Sequence, residues 1–399
     1  LTIESAIALL LLLFQLPATA ILFSRLLKGP SRHPPLEPQQ PTPDLLGTVS
    51  VVVPTLNEAL RISPLLAGLS QQSYEVREII IVDSNSQDGT PDLVKTAQQQ
   101  DPRFRLMTDD PLPPGWVGRP WALHNGFLSI SQHSQWFLGI DADVQPHPGL
   151  VASLVITAQT QGYDLVSLSP QFILKYPGEC WLQPALLMTL LYRFDPAGIR
   201  TEQPARVMAN GQCFLCRRSV LAAVNGYSSA RGSFCDDVTL ARNIAAQGFQ
   251  VGFLDGAQVL KVRMYEGAIE TWKEWGRSLD LKDASSPSQI WGDLWLLLAV
   301  QGLPLPILLS YLPLASLPPL LPLQLLLGLN LFLLVIRFAL LFAIAPSYNR
   351  QSAKGGWLFW LSPLADPLAV LRIFLSAFST PREWRGRNYG VQEAGETHS

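Results

Sequence analysis

The sequence predicts an α/β domain built on a mostly parallel sheet, carried between apolar helices towards both ends of the chain. Three observations predict it. Short β-branched runs ending in polar residues alternate with segments of helical periodicity, charge is scarce, and that charge avoids several long stretches. Charged residues make up 15% of the 399 and hydrophobic ones 48%, against roughly 25% charged in an average soluble domain. Mean hydropathy is +0.20, so part of the chain is expected within a membrane. A net charge of -2, from 29 basic and 31 acidic residues, makes no electrostatic case for a nucleic-acid partner. Four cysteines in a chain this long exclude a small disulfide-stapled fold.

From Ser5 to Ser24 the sequence SAIALLLLLFQLPATAILFS carries no charge, long enough to cross a hydrocarbon core of ~30 Å. Ala18–Ala20 resembles a signal-peptide cleavage site. Glu4 precedes the stretch, however, and Arg25, Lys28 and Arg32 follow it, which keeps the succeeding chain in the cytosol. Residues 1–27 are therefore expected as an N-terminal anchor. Residues 28–47 follow as a linker, with six prolines between 30 and 43. TVSVVVP, EIIIVD and QWFLGIDAD then read as strands buried on both faces, which places the sheet domain over 48–285. Further strands are expected near 164–169, 206–216 and 249–254, with a helix over 237–247. Between Leu294 and Ala345 the only charge is Arg337, and Pro313, Pro318, Pro319 and Pro322 cluster near the middle. Two crossings, 293–313 and 323–345, follow within 290–346. In Trp357–Phe378, Asp366 lies between two prolines and basic residues flank both sides. That part of 347–399 is expected as a re-entrant or interfacial segment before a basic tail.

Each clear strand ends in acid or amide: PTLNE (Pro54–Glu58), VDSNSQDGT (Val82–Thr90) and DAD (Asp141–Asp143). Sheets of this kind bind ligands outside the carboxyl ends of their strands. Alternation along an extended chain lets Asp141 and Asp143 project from one side towards a common cation, and hard oxygen ligands select Mg2+ or Mn2+. A D-x-D alone reads better as a solvated turn; its place after WFLGI reverses that preference towards the metal. Asp83, Ser84 and Asp88 lie on a loop before a helix starting near Thr90, where a carboxylate suits a ribose or a base, and where Asp88-Gly89-Thr90 also suits an N-cap turn. Asp236 and Asp237 open the helix of FCDDVTLARNIAAQG, as dipole partners or as the general base for a hydroxyl acceptor. In WKEWGRS, Arg277 suits a diphosphate leaving group or, with Trp272 and Trp275, a lipid headgroup. Cys213 and Cys216 lack a second pair or a nearby histidine and read as structural cysteines of a buried strand. His124, in GRPWALHNG, reads as a helix-face or a substrate-contacting residue.

PTLNE, VDSNSQDGT, DAD and DDVTL occur in the order and spacing of one family. Over about residues 48–280 the chain resembles membrane-anchored family-two glycosyltransferases with the GT-A fold. The resemblance implies that Pro54, Thr55, Asn57, Glu58 and Asp83, with Ser84 and Asp88 on the same loop, line a nucleotide-sugar pocket. Gly118 and Arg119 fall where the family often has Gly-Lys. Asp141 and Asp143 would hold Mg2+ or Mn2+ on the donor diphosphate, and Asp237, beside Asp236, would be the catalytic base where EDxxL is usual. The family's late motif is Gln or Arg, two residues, then Arg-Trp; only Arg277 represents it, with Trp275 close by on the donor side. The missing Trp lowers a reading as a processive polysaccharide synthase. PPGWVGRPWALHNG, RMYEG and WKEWGRS are similar to transferases acting on hopanoid, sphingolipid-like and carotenoid acceptors, most of all cyanobacterial carotenoid O-glycosyltransferases. What the resemblance implies is an inverting enzyme that moves a sugar from a UDP- or GDP-sugar to a hydroxyl of a membrane lipid such as a carotenoid. Hopanoid or ceramide-like acceptors, a processive synthase and an inactive membrane scaffold stand as alternatives. A sugar-nucleotidyltransferase would need a glycine-rich basic loop after the first strand, which PTLNEALR does not supply. The resemblance further implies a multi-pass protein of a bacterial inner or photosynthetic membrane, its catalytic domain cytosolic.

Overall fold

The computed structural model describes residues 3–276, 279, 281–311, 320–378, 383–384 and 387–388. The chain forms two compact units, one holding His33–Phe172 with Ala197–Met264, the other holding Leu1–Arg32, Ile173–Pro196 and Tyr265–Ser379.

The first unit is built on strands β1 (Val49–Thr55), β2 (Val76–Asp83), β3 (Phe104–Thr108), β4 (Trp136–Ile140), β5 (Val144–Pro146), β6 (Leu165–Ser169), β7 (Gln171–Ile173), β8 (Cys213–Arg217), β9 (Val251–Asp255) and β10 (Leu260–Val262). Seven of them pair in the order β3-β2-β1-β4-β8-β6-β9. The sheet is mostly parallel, as expected, with β8 antiparallel to β4 and β6. β5, β10 and β7 pair separately. Branched, fully buried side chains such as Val51, Val52, Val53, Ile79 and Ile81 make β1 and β2 strands that need cover on both faces. Helices α1 (Ser63–Ser70), α2 (Thr90–Gln100), α3 (Gly118–Ser129), α4 (Leu150–Gln161), α5 (Arg218–Ala223) and α6 (Asp236–Ala246) complete the unit. Val52, Ile80, Leu123, Phe137, Phe214, Leu240 and Ile244 share one core. Successive strands step from β1 to β2 to β3, whereas β4 returns to the other side of β1. This reversal of strand order opens a crevice at the carboxyl ends of β1 and β4.

Two sequence expectations need revision in this unit. The strand expected over 206–216 begins only at Cys213, because Asn210-Gly211 makes a turn that the surrounding apolar residues mask. The proline-rich linker is extended, as expected, but it is fastened to the sheet unit. His33 N donates to Gly198 O at 2.9 Å, Leu36 N to Asp255 O at 2.8 Å, and Gln39 N to Ser153 Oγ at 2.9 Å.

The second unit is helical. Four of its helical runs are long and apolar enough to cross a membrane: Ile3–Ser31, Pro287–Tyr311, Leu321–Ser347 and Gly356–Ala377. The third meets expectation, with Pro322 in its first turn; Pro313, Pro318 and Pro319 lie outside the described residues. The fourth differs from the re-entrant form of the expected segment. It is helical without reversal, 3₁₀ over Gly356–Ala365 and α over Asp366–Ala377. The features that suggested a break are absorbed: Pro367 occupies the first α turn, where its missing N–H costs nothing, and Asp366 pairs with Arg337. Gln15 and Asn330 are fully buried and exchange reciprocal amide hydrogen bonds, 2.9 and 3.0 Å, between the first and third apolar helices. Ile3, Leu10, Leu13, Val335, Phe342 and Trp357 point outward, an apolar surface too extensive for a water-exposed helix bundle. Residues 177–193 and 265–276, expected within the sheet domain, belong here. Helix Pro177–Arg193 buries Leu182, Ala185, Leu186 and Met188 and packs against Gly356–Ala365 and Asp366–Ala377.

Candidate active site

The carboxyl ends of β1 and β2 lie in register, Thr55 beside Asp83. Asp83 Oδ1 accepts from Thr55 Oγ1 at 2.9 Å and from Ser86 Oγ at 2.6 Å, and its Oδ2 accepts from Ser86 N at 2.9 Å. Pro54 and Thr55 end β1, and the chain then turns at Asn57, whose φ of 55° is left-handed. Asn57 Oδ1 accepts from Gln87 N at 2.9 Å, so the two strand-end loops are laced together. Glu58 is buried, and its N–H donates to Thr90 Oγ1 at 2.9 Å. Ser84 Oγ donates to Asp109 Oδ2 at 2.9 Å. Asp88 serves the turn into the helix, one residue before its N-cap Gly89: it accepts from Thr90 N and Oγ1 and from Ala59 N. Burial pushes its carboxyl up, but those bonds together outweigh it and hold the carboxyl below the ordinary range. Asp83 and Asp88 thus use most of their acceptor capacity on the loops, and Asn57, Asn85, Gln87 and Asp88 form the exposed rim.

Arg119 organises the other side of the crevice. It stands at the second residue of α3, after Gly118, and its guanidinium makes three contacts. Nε donates to Asp141 Oδ1 at 2.9 Å, Nη1 donates to Asp236 Oδ2, and Nη2 donates to Gly211 O at 2.8 Å. The N–H of Gly211 donates in turn to Asp237 Oδ2 at 2.6 Å, and Val238 N donates to Asp237 Oδ1 at 2.8 Å. Four elements therefore converge: the start of α3, the end of β4, the loop before β8 and the start of α6. Asp236 is 3% exposed, whereas Asp141 and Asp237 remain partly exposed. Burial pushes the Asp236 carboxyl up to about 7, with Arg119 pulling it down and Asp237 and Asp141 adding to the rise. Burial also raises Asp237, against Arg119 and the two backbone N–H groups. Burial alone would lower Arg119; the carboxylates of Asp141, Asp236 and Asp237 instead hold it well above its ordinary value. Such displaced titrations concentrate at functional sites.

Asp143 lies two residues beyond Asp141, partly exposed, its carbonyl accepting from Arg263 N at 3.4 Å. Among the described residues no group of three or more His, Cys, Asp or Glu side chains is disposed to hold a metal. A pair of carboxylates is nonetheless the donor set that Mg2+ or Mn2+ takes where substrate phosphates and water complete the shell. Trp275 lies in the helical unit, buried, its ring centroid 6.4 Å from that of Tyr265. Arg277 lies outside the described residues. His124 is buried, 5.0 Å from the ring of Trp116, and its Nδ1 accepts from Tyr227 N at 3.3 Å, the helix-face role. Cys213 and Cys216 are buried free thiols that burial pushes far up, as structural cysteines are. The sequence reading misses Gly211, whose carbonyl and N–H join Arg119 to Asp237. Its signal is the Asn210-Gly211 turn dipeptide.

Residues 50–224 match the description of glycosyl transferase family 2. They are a family 2 glycosyl transferase domain. The expected family and the GT-A fold are therefore both found. A 4,4'-diaponeurosporenoate glycosyltransferase of Staphylococcus haemolyticus is 24% identical over 244 residues, covering 61% of this chain and 64% of that protein. Dolichol-phosphate mannosyltransferase of Saccharomyces cerevisiae is 31% identical over 120 residues, covering 29% of this chain and 43% of that protein. The chain thus spans less than two thirds of the length of these relatives. Among solved structures, a mannosyltransferase from Pyrobaculum calidifontis, in complex with GDP-Man and Mn2+, superimposes with a TM-score of 0.52 at 20% identity. That likeness covers 91% of this chain and 98% of the other, and it shows a common fold. The glycosyl transferase domain match ends before Asp236 and Asp237, which the structure joins to it through Arg119 and Gly211.

Proposed function

We propose that the chain is a membrane-bound glycosyltransferase that moves a sugar from a UDP- or GDP-sugar to a hydroxyl of a lipid acceptor of the carotenoid class, with inversion. The observation that carries the reading is the convergence of Asp141 and Asp236 on Arg119, with Asp237 joined to it through Gly211, at the strand-order reversal of a family 2 domain. The apolar helices and the likeness to a diaponeurosporenoate glycosyltransferase support a lipid acceptor. Arg119 engages Asp236 through Nη1 and leaves Asp237 as the partly exposed carboxylate, oriented by two backbone N–H groups. Asp237 takes the proton of the acceptor hydroxyl as that oxygen attacks the anomeric carbon, and burial, which raises its carboxyl, strengthens it as a base. Asp141 and Asp143 would hold Mg2+ or Mn2+ against the donor diphosphate, supplying charge to the departing phosphates. Pro54, Thr55, Asn57, Glu58, Asp83 and Ser84, at the neighbouring strand ends, form the nucleotide side of the crevice.

The test is transfer of label from radiolabelled UDP- and GDP-sugars into lipid extracts by membranes carrying the protein, with Mn2+ or Mg2+. Asp237→Asn is expected to lower transfer by ~10²- to 10⁴-fold, the usual contribution of a general base, while donor binding persists. Label that stays in a water-soluble polymer would replace the lipid reading with a processive synthase. Turnover near wild type in Asp237→Asn would remove Asp237 from the role.

A further inference from the structure

We propose that a buried polar cluster of Tyr192, Gln301, Arg337 and Asp366, within the helical unit, binds the hydroxyl group of an uncharged lipid alcohol. The proposal rests on the transfer reaction above for the claim that this alcohol is the acceptor; the binding itself does not depend on it.

Charge is otherwise avoided here: Arg337 is the sole charged residue between Leu294 and Ala345, and Asp366 the sole one between Lys354 and Arg372. Ionisable groups in such apolar helices are costly and mark functional sites more often than elsewhere. The two groups meet in a forked ion pair. Arg337 Nε donates to Asp366 Oδ2 at 2.7 Å, and Nη2 donates to Asp366 Oδ1 at 3.0 Å and to Ser362 Oγ at 3.2 Å. Gln301 Nε2 donates to Asp366 Oδ1 at 3.1 Å and to Ala185 O at 2.9 Å. Helix Pro177–Arg193, which carries Tyr192 and the Ala185 carbonyl that Gln301 meets, packs against Gly356–Ala365 and Asp366–Ala377.

Three polar atoms of this cluster lack a hydrogen-bond partner among the described residues: Tyr192 Oη, Gln301 Oε1 and Arg337 Nη1. Their residues are 0%, 3% and 2% exposed, so bulk water does not serve them. Polar atoms buried without partners are expensive, and three around one ion pair point to a ligand that completes them. The backbone is irregular at the same place. Gln301 sits in a single π turn, Leu298–Gly302, and Ser362 and Asp366 sit in and at the end of a ten-residue 3₁₀ run, Gly356–Ala365. Turns of these kinds recur where a helix is shaped around a site, and apolar surroundings tolerate them where they line a polar one.

The chemistry of the three atoms selects the ligand. Gln301 Oε1 only accepts, Arg337 Nη1 only donates, and the Tyr192 hydroxyl does either. A hydroxyl group donates and accepts at once, so it serves both Gln301 and Arg337. Asp366 already neutralises Arg337, so a phosphate or carboxylate would bring an uncompensated negative charge and no donor. A pure hydrocarbon satisfies none of the three. Arg337 lies seven residues before the helix end at Ile344, about 10 Å along the axis. A hydroxyl bound there is attached to an apolar molecule rather than to a headgroup at the helix ends.

The experiment uses the full chain in phospholipid nanodiscs loaded with zeaxanthin, a dihydroxy polyene, or with β-carotene, its hydrocarbon counterpart. Pigment retained per protein is read by absorbance. Selective retention of zeaxanthin, at least fivefold, is expected. Tyr192→Phe removes a single oxygen that holds no partner in the protein, and is expected to cut zeaxanthin retention by about tenfold, the worth of one buried hydrogen bond. The same variant leaves β-carotene retention and the melting temperature where they were. Gln301→Leu gives a second reading of the same loss, with melting as its control; Arg337→Ala is avoided because it strands Asp366. Equal retention of the two pigments by the wild type, as for a site holding only water, would overturn the proposal, and so would a Tyr192→Phe variant with unaltered selectivity. Sugar transfer into lipid is measured in the same discs. Selectivity without transfer would sink the reaction and leave the site, and transfer without selectivity would do the reverse.

Discussion

One guanidinium sets the charge balance of the candidate active site. Arg119 meets Asp141, Asp236 and the Gly211 carbonyl in three directions, a geometry that a lysine ammonium does not reproduce. Arg119→Lys is therefore expected to keep the fold, by circular dichroism, and to lose at least tenfold in kcat/KM. Gly211→Ala is expected to act on the same group from the other side, since a Cβ there collides with the guanidinium. The raised carboxyls give opposite trends with pH. In the folded protein Asp236 titrates near 7, above its ordinary 3.8, so the folded form binds that proton more tightly. Its contribution to stability is full below about 4 and is lost as pH rises to about 7. Activity needs the deprotonated base and rises with pH as the Asp236 and Asp237 pair loses its proton, with an apparent value that belongs to the pair. Melting temperature of the unliganded protein and kcat/KM, both followed from pH 5 to 8, check the two trends; Asp236→Asn is expected to flatten the first. The acidic residues and Arg119 were legible because their types and spacing are distinctive. The partners of Arg119 were not, because a backbone carbonyl leaves no mark in a sequence.

At the scale of elements, the position of Arg119 depends on how closely α3 lies on β1. Gly126 permits that approach, and a Cβ at 126 would drive into Val52. Gly126→Ala is expected to cost about 1–3 kcal/mol by overpacking, read by denaturant titration. Because the same helix begins at Gly118 and Arg119, activity is expected to fall by more than the fraction unfolded accounts for. Strands β1, β2 and β4 were legible, since their runs of buried Val, Ile and Leu leave no other element to form. The start of β8 was not, because one Asn-Gly turn lies among residues that otherwise suit a strand. The segment from Trp357 was read as re-entrant or interfacial from its basic flanks and from Asp366 between two prolines. Both signals are local, and the partner that removes the charge penalty, Arg337, lies 29 residues away.

For the whole molecule, composition located the apolar helices but not the partition of the chain into two units. Helix Pro177–Arg193 carries Glu179, Gln183, Thr189 and Arg193 among its apolar residues, so nothing in it announces company with the apolar helices rather than with the sheet. The ion pair in that unit is a test of how it is held together. Asp366→Ala strands Arg337 and is expected to cost about 3–5 kcal/mol, whereas replacing both by Leu is expected to recover most of the loss; melting in nanodiscs distinguishes them. The amide clasp of Gln15 and Asn330 has a consequence in time. The two residues are 315 positions apart, and at about 5–20 residues per second of synthesis the first helix precedes its partner by on the order of tens of seconds. Throughout that interval Gln15 is an amide in an apolar segment with Asn330 not yet made, so the nascent helix needs a temporary escort. Ribosome-bound chains that stop short of residue 330 are expected to crosslink from position 15 to a membrane insertion factor, and completed chains to have released it.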